Sequence, residues 1–229
     1  MVEKPITPTV DDARRLIDIA NSRNRILQVG HVERYNAAFG ALAARMAKPL
    51  YIEAERLSGF KQRGADVDVV LDLMVHDLDV ILSVTAAEVV SLEAVGVPIL
   101  TDRIDVANAR IRFSDGLIAN LNTSRVAPRR ERKIRFFQPD AYISVDYEAR
   151  RIQVYRRSPP PPGSVYPVIS GEQIELGEGD PLMEEVTAFV ESVRTRTTPP
   201  VTAADGLRVM EVSEQIRAAI EKETVVSRS

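Results

Sequence analysis

The stretch LDLMVHDLDV, Leu71 to Val80, decides the fold prediction, because it is apolar enough to be buried yet carries three aspartates and a histidine. Extended to residues 68–84, it places apolar side chains on nearly every side of a helix, which is typical of a buried helix. Four polar side chains are spaced at i, i+4, i+7 and i+11, so a regular helix aligns them on one face. This polar stripe consists of Asp72, His76, Asp79 and Ser83. Asp77 lies about a quarter-turn away from it.

Buried ionisable groups are costly unless they are paired, so the polar stripe predicts either a polar cavity or partners elsewhere in the fold. The spacing allows Asp72 to orient His76 and to stabilise its imidazolium form, which would make His76 a proton donor and acceptor near neutral pH. Considered alone, a histidine on a core helix is more often a hydrogen-bonded packing residue. We predict no metal site, because the two histidines are far apart in sequence and the chain has no cysteine.

Composition limits the class of protein. The chain has 229 residues, 45% of them hydrophobic, which suffices for one large or two modest domains. A net charge of -3 provides no general basic field for nucleic acid. No apolar run reaches the length of a membrane span, and the N-terminus lacks the apolar core of a signal peptide. With no cysteine, the sequence predicts a soluble cytoplasmic protein that binds small molecules or proteins rather than nucleic acid or membrane.

The N-terminal residues predict half of an α/β crossover unit. Thr9 and Asp12 have the spacing of a capping box at the start of a helix, and the short strand Ile26 to His31 follows it. Such a strand needs a parallel neighbour, and no earlier segment is predicted to be a strand. We therefore expect this strand to be the last piece of a parallel sheet whose other strands are missing. It should be disordered, repositioned or paired with another chain.

The rest of the chain predicts helices around a mostly antiparallel sheet. An Ala-rich helix and a strand precede the buried helix, and successive strand patterns separated by turn signals run from Glu88 to about Tyr155. The run SPPPPG, Ser158 to Gly163, predicts a rigid surface connection, with a polyproline recognition motif as the alternative. Two helices close the chain, one from Asp180-Pro181 and one over residues 203–222. The predicted fold class is α/β (α+β).

Several motifs, in order and in register, resemble the Gfo/Idh/MocA family of nicotinamide-dependent sugar and cyclitol dehydrogenases. They are EKP at Glu3 to Pro5, VGHVERYN at Val29 to Asn36, DLMVHDLD at Asp72 to Asp79, SRV at Ser124 to Val126, and the closing helix after TAADGLRVMEV. The resemblance covers essentially the whole chain. It implies that residues 1–34 are a remnant of a Rossmann domain. It also implies that residues 35–229 form a substrate-binding and oligomerisation domain, which assembles into homo-oligomers through its sheet face.

The resemblance also implies roles for individual residues. Lys4 lies near the nicotinamide and the reacting hydroxyl, and Glu3, Lys4 and Pro5 form the cofactor-binding motif. Asp72 and His76 correspond to the D-x-x-x-H pair, in which His76 takes the hydroxyl proton as hydride leaves for NAD(P)+. These assignments make Lys4, Asp72 and His76 the predicted catalytic residues.

Four further residues are predicted to bind substrate: Arg34, Tyr35, Asp79 and Arg125. Packing at the domain junction is an equal alternative for Arg34 and Tyr35. For Arg125 the alternative is an arginine on a surface strand. Asp79 either participates in the site or only ends the polar stripe.

One departure from the family concerns the cofactor. NAD or NADP is implied, but the sequence has no G-x-G-x-x-G turn, so the phosphate-binding loop is absent from this chain.

Three interpretations of the chain follow: a piece of an ordinary sugar dehydrogenase, a non-catalytic sugar-binding or assembly domain, or a subunit that completes a split enzyme in trans. Among substrates, the sequence most resembles branches that act on nucleotide-linked amino sugars, and cyclitols and free sugars stay open.

Overall fold

The computed structural model describes residues 1–62 and 64–226. The helices are α1 Val10–Ser22, α2 Ala37–Ala43, α3 Val75–Val84, α4 Pro181–Thr195 and α5 Ala203–Val226. The strands are β1 Val2–Glu3, β2 Val29–Gly30, β3 Tyr51–Leu57, β4 Val89–Val97, β5 Val106–Phe113, β6 Ile118–Ser124, β7 Glu131–Phe137, β8 Ala141–Asp146, β9 Arg151–Ser158 and β10 Val168–Glu175. In the described part of the chain, no helix is both long and apolar enough to cross a bilayer.

Eight strands form one large sheet in the order β10-β9-β8-β7-β3-β6-β5-β4. Every neighbouring pair is antiparallel except β3 and β6, which run parallel. This confirms the predicted mixed α/β class with a mostly antiparallel sheet. Strand β10 was not predicted, because it is an edge strand whose side chains are almost all exposed. The proline run lies in the connection between β9 and β10.

One face of the large sheet carries the core. Side chains along β3 alternate between buried and half-buried, so Ile52 and Ala54 point toward the helices. Helix α5 packs against β4 and α3, and α2 packs near β8 and β9. The largest fully buried side chains include Phe113, Phe136, Ile52, Leu78 and Leu121. The helices therefore cover this face, and the opposite face of the sheet stays half-open.

The N-terminal strand has a partner within the chain. Strands β1 and β2 pair in parallel, with Val2 opposite Val29 and Glu3 opposite Gly30. The prediction that the strand after α1 lacks a neighbour was therefore wrong. This strand, β2, is also shorter than the predicted strand over residues 26–31. A second core cluster, formed by residues of β2, α1 and α5, packs behind this pair. The proposed domain boundary between residues 34 and 35 stays a prediction.

The predicted helix over residues 68–84 is not uniform. Asp68 Oδ1 accepts hydrogen bonds from the amides of Val70, at 3.0 Å, and Leu71, at 3.1 Å, and so caps its start. A π-helical turn then covers Val70–Met74 before α3 begins at Val75. A π turn holds more residues than an α turn, so it rotates Asp72 relative to His76. The expectation of a regular helical spacing between them was wrong for this turn.

Candidate active site

Lys4 and Asp72 lie together at the end of β1. The Lys4 Nζ donates a 2.6 Å hydrogen bond to the backbone carbonyl of Asp72 and lies 3.5 Å from its carboxylate Oδ1. Lys4 is half-buried, and burial lowers the pKa of its ammonium group, while the charge of Asp72 partly opposes this shift. Two of the predicted catalytic residues, 68 positions apart, therefore share one site.

His76 occupies the first turn of α3, beside this pair. Burial lowers the pKa of His76 well below its usual 6.5, and the charges of Arg56 and Lys4, then those of protonated His31 and of Arg132, lower it further. Its Nδ1 is buried and has no hydrogen-bond partner within the described residues. His76 is therefore neutral at pH 7, the form that can accept a proton.

The predicted contact between Asp72 and His76 is absent. Among residues 1–62 and 64–226, neither a hydrogen bond nor an ion pair joins them. Asp72 is turned toward Lys4, and the groups that set the pKa of His76 are burial and nearby cations. The expectation that Asp72 stabilises an imidazolium at His76 was therefore wrong, because the π turn separates the two side chains.

The second histidine of the chain belongs to the same neighbourhood. His31 directly follows β2, and the parallel register of β1 and β2 puts it level with Lys4. It is buried, its Nδ1 has no partner within the described residues, and burial lowers its pKa. Its charge also affects the pKa of His76. His31 was not singled out from the sequence, although it stands in the VGH motif.

A buried ion network lies beneath the site. Arg56 on β3 makes two 2.9 Å hydrogen bonds to the carboxylate of Asp77 and one of 3.3 Å to Glu33. Burial alone would lower the pKa of Arg56, but Asp77 and Glu33 outweigh it and raise the pKa. The network fixes α3 to β3 and to the 3-10 turn Val32–Tyr35. The only sequence signal for it was the alternation of β3, which turns Arg56 inward with Ile52 and Ala54.

Two of the predicted substrate residues pair with each other. The Arg34 Nε donates a 2.8 Å hydrogen bond to Asp79 Oδ2, and its guanidinium lies 5.3 Å from the ring centroid of Phe39. Burial raises the pKa of Asp79, and the charges of His31 and Arg34 oppose the rise. This ion pair therefore joins α3 to the 3-10 turn Val32–Tyr35, and Arg34 Nη2 also lies 3.8 Å from Asp205 Oδ1 on α5. A substrate contact for Arg34 or Asp79 stays a prediction.

Tyr35 lies next to that pair. Its hydroxyl is buried without a hydrogen-bond partner in the described chain. Burial, followed by the charge of Glu185, raises its pKa to about 12. A role for Tyr35 in substrate binding stays a prediction.

Arg125 is buried rather than on a surface strand, so that alternative was wrong. Its guanidinium donates to the carbonyls of Gly64 (3.0 Å), Val67 and Ile104 (3.3 Å) and lies 3.3 Å from the carboxylate of Asp105. These contacts hold the connection between β3 and the π turn beside Asp72. Gly64 has φ of +83°, and a Cβ there would lie 3.4 Å from Asp72 Oδ2. Arg125 thus positions a loop at the site, and a direct substrate contact stays a prediction.

Comparison with known proteins gives the family. Residues 30–144 match the GFO/IDH/MocA C-terminal domain. The UDP-N-acetylglucosamine 3-dehydrogenase of Acidithiobacillus ferrooxidans is 37% identical over 224 residues, which are 96% of this chain and 71% of that protein. The inositol 2-dehydrogenase of Agrobacterium fabrum is 31% identical over 86 residues, 34% of this chain and 25% of that protein.

Solved structures agree with the sequence comparisons. A structure of the Acidithiobacillus enzyme matches with a TM-score of 0.89 and 35% identity, covering 96% of this chain and 70% of that one. The YvaA protein from Bacillus subtilis has the same fold, with a TM-score of 0.79 and 17% identity over 97% of this chain and 71% of that one. The chain therefore belongs to the Gfo/Idh/MocA family of oxidoreductases.

Proposed function

We propose that this chain carries the substrate side of an NAD(P)-dependent dehydrogenase that oxidises a hydroxyl of a nucleotide-linked amino sugar. The observation that carries the proposal is the meeting of Lys4, Asp72 and a neutral His76 at one point. The substrate class is supported by the 37% identity to a UDP-N-acetylglucosamine 3-dehydrogenase. Free sugars and cyclitols are the alternatives, and each makes a different prediction in the assay below.

His76, Lys4 and Asp72 have separate roles in the proposed oxidation of the alcohol. The neutral imidazole of His76 accepts the hydroxyl proton as the C–H bond of the same carbon breaks. The ammonium group of Lys4 stabilises the negative charge that develops on the oxygen. This electrostatic stabilisation is strongest where water is excluded. Asp72 holds Lys4 in place through its carbonyl and carboxylate. Burial, and after it the charges of Arg56 and Lys4, keep the pKa of His76 low and so keep the base deprotonated.

The end of β1 and β2 fits the nicotinamide end of the cofactor. Ligands of parallel sheets bind at the carboxyl ends of the strands, and Lys4 and His31 directly follow these two ends. The unpartnered, buried Nδ1 of His31 is a polar atom that a carboxamide could satisfy. When bound, the nicotinamide supplies the acceptor for hydride. The phosphate end would require a glycine-rich turn, which this sequence does not contain.

We also propose that the chain is cytoplasmic, because its lack of cysteine fits a reducing compartment.

We further propose that the chain assembles with copies of itself through the half-open face of the large sheet. Four aromatic rings form a row across this face, on β3, β7, β8 and β9. They are Tyr51, Phe137, Tyr142 and Tyr155, with successive centroids 5.4, 5.2 and 6.0 Å apart. Aromatic side chains are enriched in protein interfaces, because they bury large areas at low entropic cost.

A substrate panel tests the proposed function. The natural gene product is mixed with NAD+ or NADP+ and with UDP-N-acetylglucosamine, N-acetylglucosamine or myo-inositol, and reduced nicotinamide is followed by its absorbance. We expect reduction with UDP-N-acetylglucosamine. Reduction with myo-inositol or the free sugar alone would overturn the substrate class, and no reduction with any of the three would count against the enzyme.

A further inference from the structure

Two arginines face each other across the sheet near the candidate active site. The register of β3 and β7 puts Arg56 directly opposite Arg132, on the face covered by the helices. Like charges at directly opposed positions of a sheet destabilise it unless other charges compensate. Arg56 has its compensation in Asp77 and Glu33. Arg132 therefore needs a separate partner.

The chain provides no such partner within the described residues. Every other cation between residues 129 and 133 is paired: Arg129 with Glu131 at 2.9 Å, Arg130 with Glu148 at 3.2 Å, and Lys133 with Glu131 and Asp146 at 3.4 Å. In residues 1–62 and 64–226, no ion pair or side-chain hydrogen bond engages the guanidinium of Arg132.

The surroundings of Arg132 favour an incoming anion. The side chain is half-buried, and burial lowers its pKa, as do the charges of Arg56 and Arg130. Glu33 and Glu148 oppose this shift but are engaged with Arg56 and Arg130. Arg132 is also close enough to His76 to lower its pKa. An unpaired, partly desolvated cation thus lies within electrostatic reach of the proposed base.

We propose that Arg132 binds a phosphate group of the nucleotide-linked sugar whose hydroxyl reacts at His76. The inference rests on the proposed function and adds a residue that selects the substrate class. A guanidinium is suited to this role because it donates parallel hydrogen bonds to two phosphate oxygens. A free sugar or cyclitol has no phosphate, so it would leave Arg132 unpaired.

Binding measurements on the natural gene product test this assignment. By calorimetry, we expect Arg132→Gln to weaken binding of UDP-N-acetylglucosamine by roughly tenfold or more and to leave N-acetylglucosamine unchanged. Arg132→Lys, which keeps the charge but not the fork of donors, should fall between. Arg129→Gln, the matched control, should bind UDP-N-acetylglucosamine like the wild type. Because the substitution removes a like-charge pair, Arg132→Gln should melt no lower than the wild type without ligand.

The possible failures are distinguishable. If the wild type and Arg132→Gln bind UDP-N-acetylglucosamine equally, the role of Arg132 is overturned while the proposed substrate stands. If Arg132→Gln weakens NAD+ or NADP+ but not UDP-N-acetylglucosamine, Arg132 serves the cofactor phosphates and the assignment is again overturned. If the wild type oxidises only free N-acetylglucosamine or myo-inositol and does not bind the nucleotide sugar, both proposals fail.

Discussion

The side chain of Lys4 is tied to the backbone of Asp72, since its Nζ donates a 2.6 Å hydrogen bond to the carbonyl of that residue. The bond joins the end of β1 to the π turn that precedes α3. A π turn interrupts the regular pattern of α-helical hydrogen bonds and is frequent at functional sites. The position of the Lys4 ammonium group relative to His76 is thus set by two elements, the parallel strand pair and the wide turn.

The first prediction concerns the charge of Lys4. Because Lys4 lowers the pKa of His76, the substitution Lys4→Met should raise that pKa toward 6.5. The chain has only two histidines, so a pH titration of their ring signals by NMR can follow each one, with His31→Gln to assign them. Lys61→Met, in an exposed loop, is the control and should leave the titration unchanged. An unaltered His76 titration in Lys4→Met would contradict the arrangement.

The second prediction concerns the buried ion network. Arg56→Met leaves the carboxylates of Asp77 and Glu33 without their partner, and breaking a buried pair in this way costs about 3–5 kcal/mol. Urea unfolding should report this loss of free energy. The matched control is Arg135→Met on the half-open face, whose contacts to Glu53 and Glu55 are 3.7 and 3.9 Å long. It should cost about 0–1 kcal/mol, and equal losses in the two variants would refute the role of the network.

The third prediction concerns pH and Glu185. This residue is buried, its Oε1 has no partner in the described chain, and burial, then the charges of Glu3 and Asp79, raise its pKa from 4.5 to about 7. The folded state therefore binds a proton that the unfolded state has released, and stability falls as the pH rises from 4.5 to about 7.

Glu185→Gln removes this ionisation. We expect it to raise the melting temperature by several degrees near pH 8 and to change it little near pH 4.5, as measured by calorimetric scans. Glu178→Gln, whose side chain is 96% exposed, should have no pH-dependent effect. A gain of equal size at both pH values would show that the ionisation of Glu185 does not destabilise the fold.

The fourth prediction concerns assembly. Tyr142→Asp places a charge in the middle of the aromatic row, so it should convert an oligomer into smaller species in light-scattering measurements of mass. Tyr166→Asp is the control, because this side chain is 77% exposed in the connection between β9 and β10. A wild-type protein that is monomeric at high concentration would contradict assembly through the sheet face.

Local patterns in the sequence were enough to predict most of the fold. Alternation from β4 to β9 predicted the strands, and the capping residues Thr9 and Asp180 correctly predicted where α1 and α4 begin. The pairing of β1 with β2 could not be found in this way, because a two-residue strand has no periodicity. The π turn likewise leaves no mark on the apolar pattern, so Asp72 was aligned with the wrong neighbour.

From the sequence, the candidate site could be predicted only for those residues that lie within the recognised motifs. Lys4 and Asp72, which the motifs assign to one catalytic site, are in contact in the structure, although the sequence spacing had paired Asp72 with His76. Arg132 depends on the register between two strands that are far apart in sequence, which sequence spacing does not specify. The surroundings that keep His76 neutral also come from several elements, including β3 and β7.

The most direct measurement is the rate of nicotinamide reduction with UDP-N-acetylglucosamine for the natural gene product and its His76→Asn variant. Loss of a positioned general base should lower kcat by roughly 10²–10⁴-fold. Arg157→Gln, an exposed position on β9, should keep the wild-type rate. A His76→Asn protein that turns over within a few-fold of the wild type would contradict the claim that His76, beside Lys4 and Asp72, accepts the proton.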